Sequence, residues 1–391
     1  YHMAAVHCRA LTSAEVADHF AAGSNALATD HDPLGHGTHV AGIVAGNGKA
    51  SGNAHRGTAD GVSLVSLRAL DEQGRGVTSD ALAAMDWLLS NGSDYNIKVV
   101  NLSLGKAIEE SNLTDPLVLA VEQVWDAGMT VIVAAGNHGR DGHMTITSPA
   151  NSRKVITVGS LTDKGTGDNL LDDFVSTFSS MGPTLGDHVL KPDLVAPGNR
   201  VTAAISKHAK LRTDMPDRLV PCAAPACTGD YLELSGTSMA APMVAAAAAA
   251  MLEKEPTLTP ATIKARLMRS ARKVEADPTA AGAGVLDVEA ALNETGYGAG
   301  EALSPLMKRT DDEEALFVED TAALWGDGTW DAGYLWTDAY LWTDAYLWTD
   351  AYLWTDAYLW TDAYLWTDAY LWTDAYLWTD AYLWTDSVTY Y

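Results

Sequence analysis

The chain has 391 residues, 47% of them hydrophobic, enough to bury one large core or two domains. Its formal net charge of −26 argues against a nucleic-acid partner, which clustered Lys and Arg would have to hold. No stretch reaches the roughly 18 uncharged apolar residues of a membrane span, and the run Ala245 to Leu252 is too short and too alanine-rich to be one.

From Val40 to Gly159 short apolar runs alternate with helical patterns. Ser63–Arg68, Lys98–Leu104, Met129–Ala134 and Lys154–Val158 read as buried strands, with Ser79–Asn91 and Pro116–Ala127 as helices between them. Such βαβ units predict an α/β fold, a doubly wound and mainly parallel sheet with helices on both faces. Further on, Thr257–Arg272 reads as a polar-faced helix opened by Thr259-Pro260. Gly284–Leu292 reads as a last packing segment before Gly296 and Gly298 break the pattern. The globular domain is therefore expected over residues 1–298, an acidic linker over 299–330 and a repeat tail over 331–391.

From Asp311 onward there are 17 acidic residues and no Lys or Arg, so residues 1–310 carry only −9 of the −26. From Tyr334 the hexad Tyr-Leu-Trp-Thr-Asp-Ala recurs nine times, with Ser387 in place of the last Ala. Because the period is even, an extended strand keeps Tyr, Trp and Asp on one face, whereas a helix turns about 600° per hexad and smears them. A β arrangement is favoured, either as a spacer or as a module whose Trp and Tyr ladder binds an extracellular ligand such as a sugar or cation. The chain's three cysteines make no disulfide framework: Cys222 and Cys227 are close enough to bridge a small loop, and Cys8 is left over.

Three segments carry chemistry. In Gly35-His36-Gly37-Thr38-His39 an imidazole stands between two glycines at the mouth of a small-residue helix; a structural histidine is the plainer alternative. In Ser235-Gly236-Thr237-Ser238-Met239-Ala240 a serine opens an alanine-rich helix. The N–H groups there favour negative charge, although a simple N-cap would look the same. Between them Ala134-Ala135-Gly136-Asn137-His138-Gly139 ends a strand in a Gly-flanked amide, either an oxyanion donor or a turn residue.

Together these segments resemble, in the same order, the signatures of the subtilisin family around its catalytic His, oxyanion Asn and nucleophilic Ser. Asn101–Gly105, Ser148–Asn151, Phe178–Pro183 and Lys191–Gly198 are similar to its framework, and the likeness covers roughly residues 30–292. The resemblance implies that His36 is the base, Ser238 the nucleophile, and Asn137 with the Ser238 N–H the oxyanion site. It also implies a substrate strand laid along Ser103, Leu104 and Gly105, and a roomy pocket walled by Ala134, Ala135 and Gly136. Protein or peptide substrates and a secreted location follow, with no cofactor required. Structural calcium is expected by analogy but is unplaced.

One part of the pattern is missing. The family's catalytic aspartate, in Asp-Thr-Gly or Asp-Ser-Gly, would fall at or before residue 6, yet no aspartate precedes Asp18. Asp18 lacks the following glycine, and Asp30 and Asp32 sit too close to His36. The aspartate and its central strand are thus expected upstream of Tyr1, leaving an open slot in the sheet and an impaired catalyst. A signal peptide would also lie upstream. Two other functions compete: a catalytically inactive scaffold binding extracellular partners, and a metallopeptidase using His36 and His39. The latter has no Glu between its histidines and no third ligand nearby.

Overall fold

The computed structural model describes residues 2–7, 32–166, 172–221, 230–274, 276–298, 300–309 and 316–318. Cys8, Asp18, Asp30, Cys222, Cys227 and the hexad tail lie outside the described residues.

A seven-stranded mixed sheet forms the centre. Its strands are β1 (His2–His7), β2 (Ser63–Arg68), β3 (Ile97–Leu102), β4 (Thr130–Ala134), β5 (Ile156–Thr162), β6 (Phe174–Val175) and β7 (Leu194–Pro197). The order is β2-β1-β3-β4-β5-β6, with β7 also paired to β5. Pairing is parallel for β3 with β4, β4 with β5 and β5 with β7. Every residue of β4 and β5 is buried, as strands covered on both faces of a parallel sheet require, and β5 carries Thr157, Ser160 and Thr162 inside as well as its apolar side chains. β2 differs from the expected buried run: alternate residues are exposed, because it is an edge strand covered on one face.

The slot expected to be open is filled. β1 lies between β2 and β3 and runs antiparallel to both, pairing Met3 with Leu67 and Leu102, and Ala5 with Val65 and Val100. Backbone groups in the middle of a sheet need partners, and a six-residue segment with an apolar centre at residues 3–6 supplies them in either direction.

Helices α1 (His36–Ala45), α2 (Thr78–Asn91), α3 (Pro116–Asp126), α4 (Thr237–Lys254) and α5 (Pro260–Arg269) surround the sheet. The crossovers β2-α2-β3 and β3-α3-β4 step the same way, which sets α2 and α3 side by side on one face. α3 starts where Asp115 accepts a hydrogen bond from Leu117 N and Pro116 takes the first helical position. On the other face α4 crosses β3, β4, β5 and β7 with α1 beside it. Ala245–Ala248 of α4 are completely buried, since methyl side chains let a helix lie close to a sheet at no cost in helix propensity. A small antiparallel sheet, β8 (Val201–Ile205), β9 (Leu219–Val220) and β10 (Asp230–Leu234), packs on α1 through Val40, Ile43, Ala203 and Leu232.

The domain also extends past the expected end at residue 298. Ser304 is wholly buried: its N–H bonds to Arg153 O at 2.8 Å, its hydroxyl to Asp193 Oδ1 at 2.6 Å, and its carbonyl accepts from Arg153 Nε at 2.8 Å. Leu190 N–H bonds to Pro305 O, and Met307 N–H to His188 O. Residues 300–307 are thus a strap on the domain, with Leu306 bridged to Val189 and Met307 opening a short strand; so brief a crossing leaves no periodicity to read. Beneath it Asp193 binds two fully buried lysines, Lys191 at 2.7 Å and Lys264 at 3.3 Å. Among the described residues no helix is long and apolar enough to cross a membrane.

Candidate active site

Asp32 shapes the entrance to α1. Its carboxylate accepts hydrogen bonds from Gly35 N at 3.0 Å and Thr38 N at 2.6 Å, satisfying donors that the first helical turn leaves open. Gly35 has φ +92°, and a Cβ there would come within 2.5 Å of Ala209 and Ile205. This turn delivers His36 as the first, buried residue of α1. His39, one turn on, is fully buried and its Nε2 meets Leu232 O at 2.9 Å. Burial pushes its pKa down from 6.5 to about 4, so the ring is neutral and donates to that carbonyl. His39 therefore joins α1 to β10, while His36 opens the helix.

Beside α1, the first turn of α4 carries Ser238. Its neighbour Met239 packs in the same cluster as Val40 and Ile43, which sets the openings of the two helices together. The helix begins after Gly236, whose N–H is held by Gly198 O at 2.8 Å, so the loop after β7 supports the turn. No acidic residue occupies the first turn of α4, and its open N–H groups favour an anion.

Asn137 follows β4. Gly136, at φ +113°, turns the chain where a Cβ would press on Ser180 and Thr147. Thr237 then fastens the two segments. Its N–H donates to Asn137 Oδ1 at 2.9 Å, and its hydroxyl lies 3.2 Å from both Asn137 Oδ1 and Gly136 O. With Oδ1 occupied, the exposed amide holds Nδ2 beside Gly236 at the mouth of α4.

A pocket opens between the end of β3 and the end of β4. Ser103, Leu104 and Gly105 line one side, and Ala134, Gly136, Asn137, Thr147 and Ser238 line the rest. Of the expected wall residues, Ala134 and Gly136 line the pocket and Ala135, between them, is fully buried. Thr147 and Thr237, which the sequence reading left without a role, take part instead. Thr237 stood inside the serine segment, but nothing local marked its bond to a residue 100 positions earlier. Among the described residues no group of three His, Cys, Asp or Glu side chains is placed to share a metal ion.

The pocket thus gathers groups from the carboxyl ends of β3 and β4 and the mouth of α4, the usual place for a site in an open parallel sheet, while His36, at the mouth of α1, is not among its lining residues. Over 265 residues the chain is 39% identical to serine protease AprX of Bacillus subtilis (strain 168), covering 66% of this chain and 58% of that protein. It is 33% identical to subtilisin DY of Bacillus licheniformis over 261 residues, 66% of this chain and 78% of that protein. Among solved structures, S41 psychrophilic protease matches with a TM-score of 0.52 at 28% identity, covering 66% of this chain and 80% of that one. Residues 8–298 match the peptidase S8 profile, and with the site's geometry this shows that the chain belongs to the subtilase family.

Proposed function

We propose that this chain is the body of a serine endopeptidase that cleaves peptide bonds in proteins through an acyl-enzyme. The observation that carries this reading is the hydrogen bond from Thr237 N to Asn137 Oδ1, which ties the strand-end amide to the helix presenting Ser238. Asn137 Nδ2 and the Ser238 N–H then serve one oxyanion position.

In this mechanism His36 accepts the proton of Ser238 Oγ as that oxygen bonds to the scissile carbonyl carbon. The carbonyl electrons move onto oxygen, which the two donors hold. Collapse of the intermediate expels the amine, which takes the proton from His36. Water repeats the sequence, releasing the acid product and restoring Ser238. The substrate backbone lies along Ser103–Gly105, and the side chain before the scissile bond enters the pocket beside Gly136. Its small walls suit a large apolar side chain, and no cofactor takes part.

Residues 1–391 contain no Asp-Thr-Gly or Asp-Ser-Gly segment, and β1, His-Met-Ala-Ala-Val-His, carries no carboxylate. Asp32 caps the opening of α1. We therefore expect impaired activity, by roughly 10⁴-fold, the size of loss seen when serine peptidases lose this aspartate. To restore it, an added segment bearing that aspartate would have to take the sheet position that β1 fills, and secretion is part of the same proposal. The missing segment also supports a second reading, a catalytically inactive scaffold whose aromatic and acidic tail binds extracellular partners.

A fluorophosphonate probe separates the two. Slow labelling of the purified chain, abolished by Ser238→Ala and accelerated in a form extended upstream, is the expected result. Folded proteins that take no label in either form would overturn the peptidase reading in favour of the scaffold.

A further inference from the structure

α4 contains a proline at position 242, four residues after Ser238. In an α-helix the carbonyl of Ser238 would accept the N–H of residue 242, but proline has none, and its ring crowds that carbonyl outward. An acceptor in the first turn, on the nucleophile itself, is thereby left without its helical donor. The structure supplies another: Ser103 Oγ donates to Ser238 O at 2.9 Å. Because that hydroxyl has one proton, its lone pair must be served by a donor, and Asn101 Nδ2 lies 3.0 Å away. Asn101 and Ser103 are both completely buried, so water does not compete for these bonds. The relay runs from β3, through the segment that lines the substrate pocket, to the backbone of Ser238.

We propose that Ser103 is a positioning residue for Ser238: its side chain replaces the helical hydrogen bond that Pro242 removes, and so fixes the nucleophile relative to the substrate strand. This role is distinct from the backbone contacts that residues 103–105 offer a substrate, and it rests on Ser238 being the nucleophile. Pro242 alone would leave the first turn of α4 loosely held. With Ser103 in place, the turn is locked to the wall against which substrate lies.

The relation between residues 103 and 242 is testable by a double-mutant cycle. Ser103→Ala keeps the backbone and removes the donor, and Pro242→Ala restores a backbone N–H that can reach Ser238 O. In the otherwise unchanged chain Ser103→Ala should lower the unfolding midpoint by about 4 °C, as expected for a buried acceptor left unsatisfied in a domain of this size. It should also slow fluorophosphonate labelling on the order of 10-fold through misplacement of Ser238. In the Pro242→Ala background the same substitution should cost less than about 1 °C and about 2-fold in labelling, because the helix then supplies the bond. Additive effects in both readouts would overturn the proposal. So would a midpoint loss in Ser103→Ala with labelling unchanged. If neither the parent chain nor its upstream-extended form takes label, the peptidase reading fails, but the melting cycle still reports whether Ser103 and Pro242 are coupled, and additivity there overturns the bond itself.

Discussion

Thr237 and Asn137 are joined by a 2.9 Å hydrogen bond across 100 residues of sequence, from the backbone N–H beside the serine to the amide oxygen at the end of β4. The same threonine's hydroxyl lies 3.2 Å from Gly136 O and from Asn137 Oδ1. One residue therefore sets the distance between the two expected oxyanion donors. Thr237→Val keeps the backbone bond and deletes the hydroxyl. It should lower kcat and the labelling rate on the order of 10-fold with KM little changed, since the donors act on the transition state. Steady-state kinetics on a peptide ester would check this, and an effect confined to KM would contradict it.

Gly35 bends the chain into α1 at φ +92°, with Ala209 and Ile205 within 2.5 Å of where a Cβ would stand. Gly35→Ala should destabilise the domain by about 3 kcal/mol, combining backbone strain with overpacking. Urea unfolding should show a lower midpoint at an unchanged slope.

His39 gives the domain an acid limit. Its folded pKa of about 4 lies below the ordinary 6.5, because burial disfavours the charged ring. Between these values the unfolded chain binds a proton that the folded one does not, so stability falls as pH drops from 6.5 to 4. The full loss is on the order of 3 kcal/mol. His39→Gln, which can still donate to Leu232 O, should flatten that part of the stability profile when unfolding is followed at a series of pH values.

Lys264 sits among acceptors: Arg153 O at 3.0 Å, Lys154 O at 3.2 Å, Ser304 Oγ at 2.9 Å and Asp193 Oδ1 at 3.3 Å. Lys264→Met should cost about 3–5 kcal/mol, as removal of one partner from a buried ion cluster does. Ser304→Ala should cost less, about 1–3 kcal/mol, and should speed amide hydrogen exchange at Ala302–Met307, because Ser304 fastens that strap to Asp193.

The sequence by itself determined the family and the parallel strands β3, β4 and β5 at the centre of the sheet. β4 and β5 are buried throughout because both faces are covered, and their largely apolar runs at residues 131–134 and 155–158 are visible without coordinates. His36 and Ser238 stand out in local sequence because glycines and a helix mouth adjoin each of them, and Asn137 because a strand ends beside it between glycines. Tertiary structure decided the rest. Filling of the slot by β1 depends on which segment meets the unpaired backbones of β2 and β3, and a short apolar run does not encode its direction. The burial of Ala135, the strap at 300–307, and the ties from Thr237 to Asn137 and from Ser103 to Ser238 all join residues far apart in the chain. A hydroxyl or methyl carries no sequence mark of its partner; only the folded geometry brings donor and acceptor within reach.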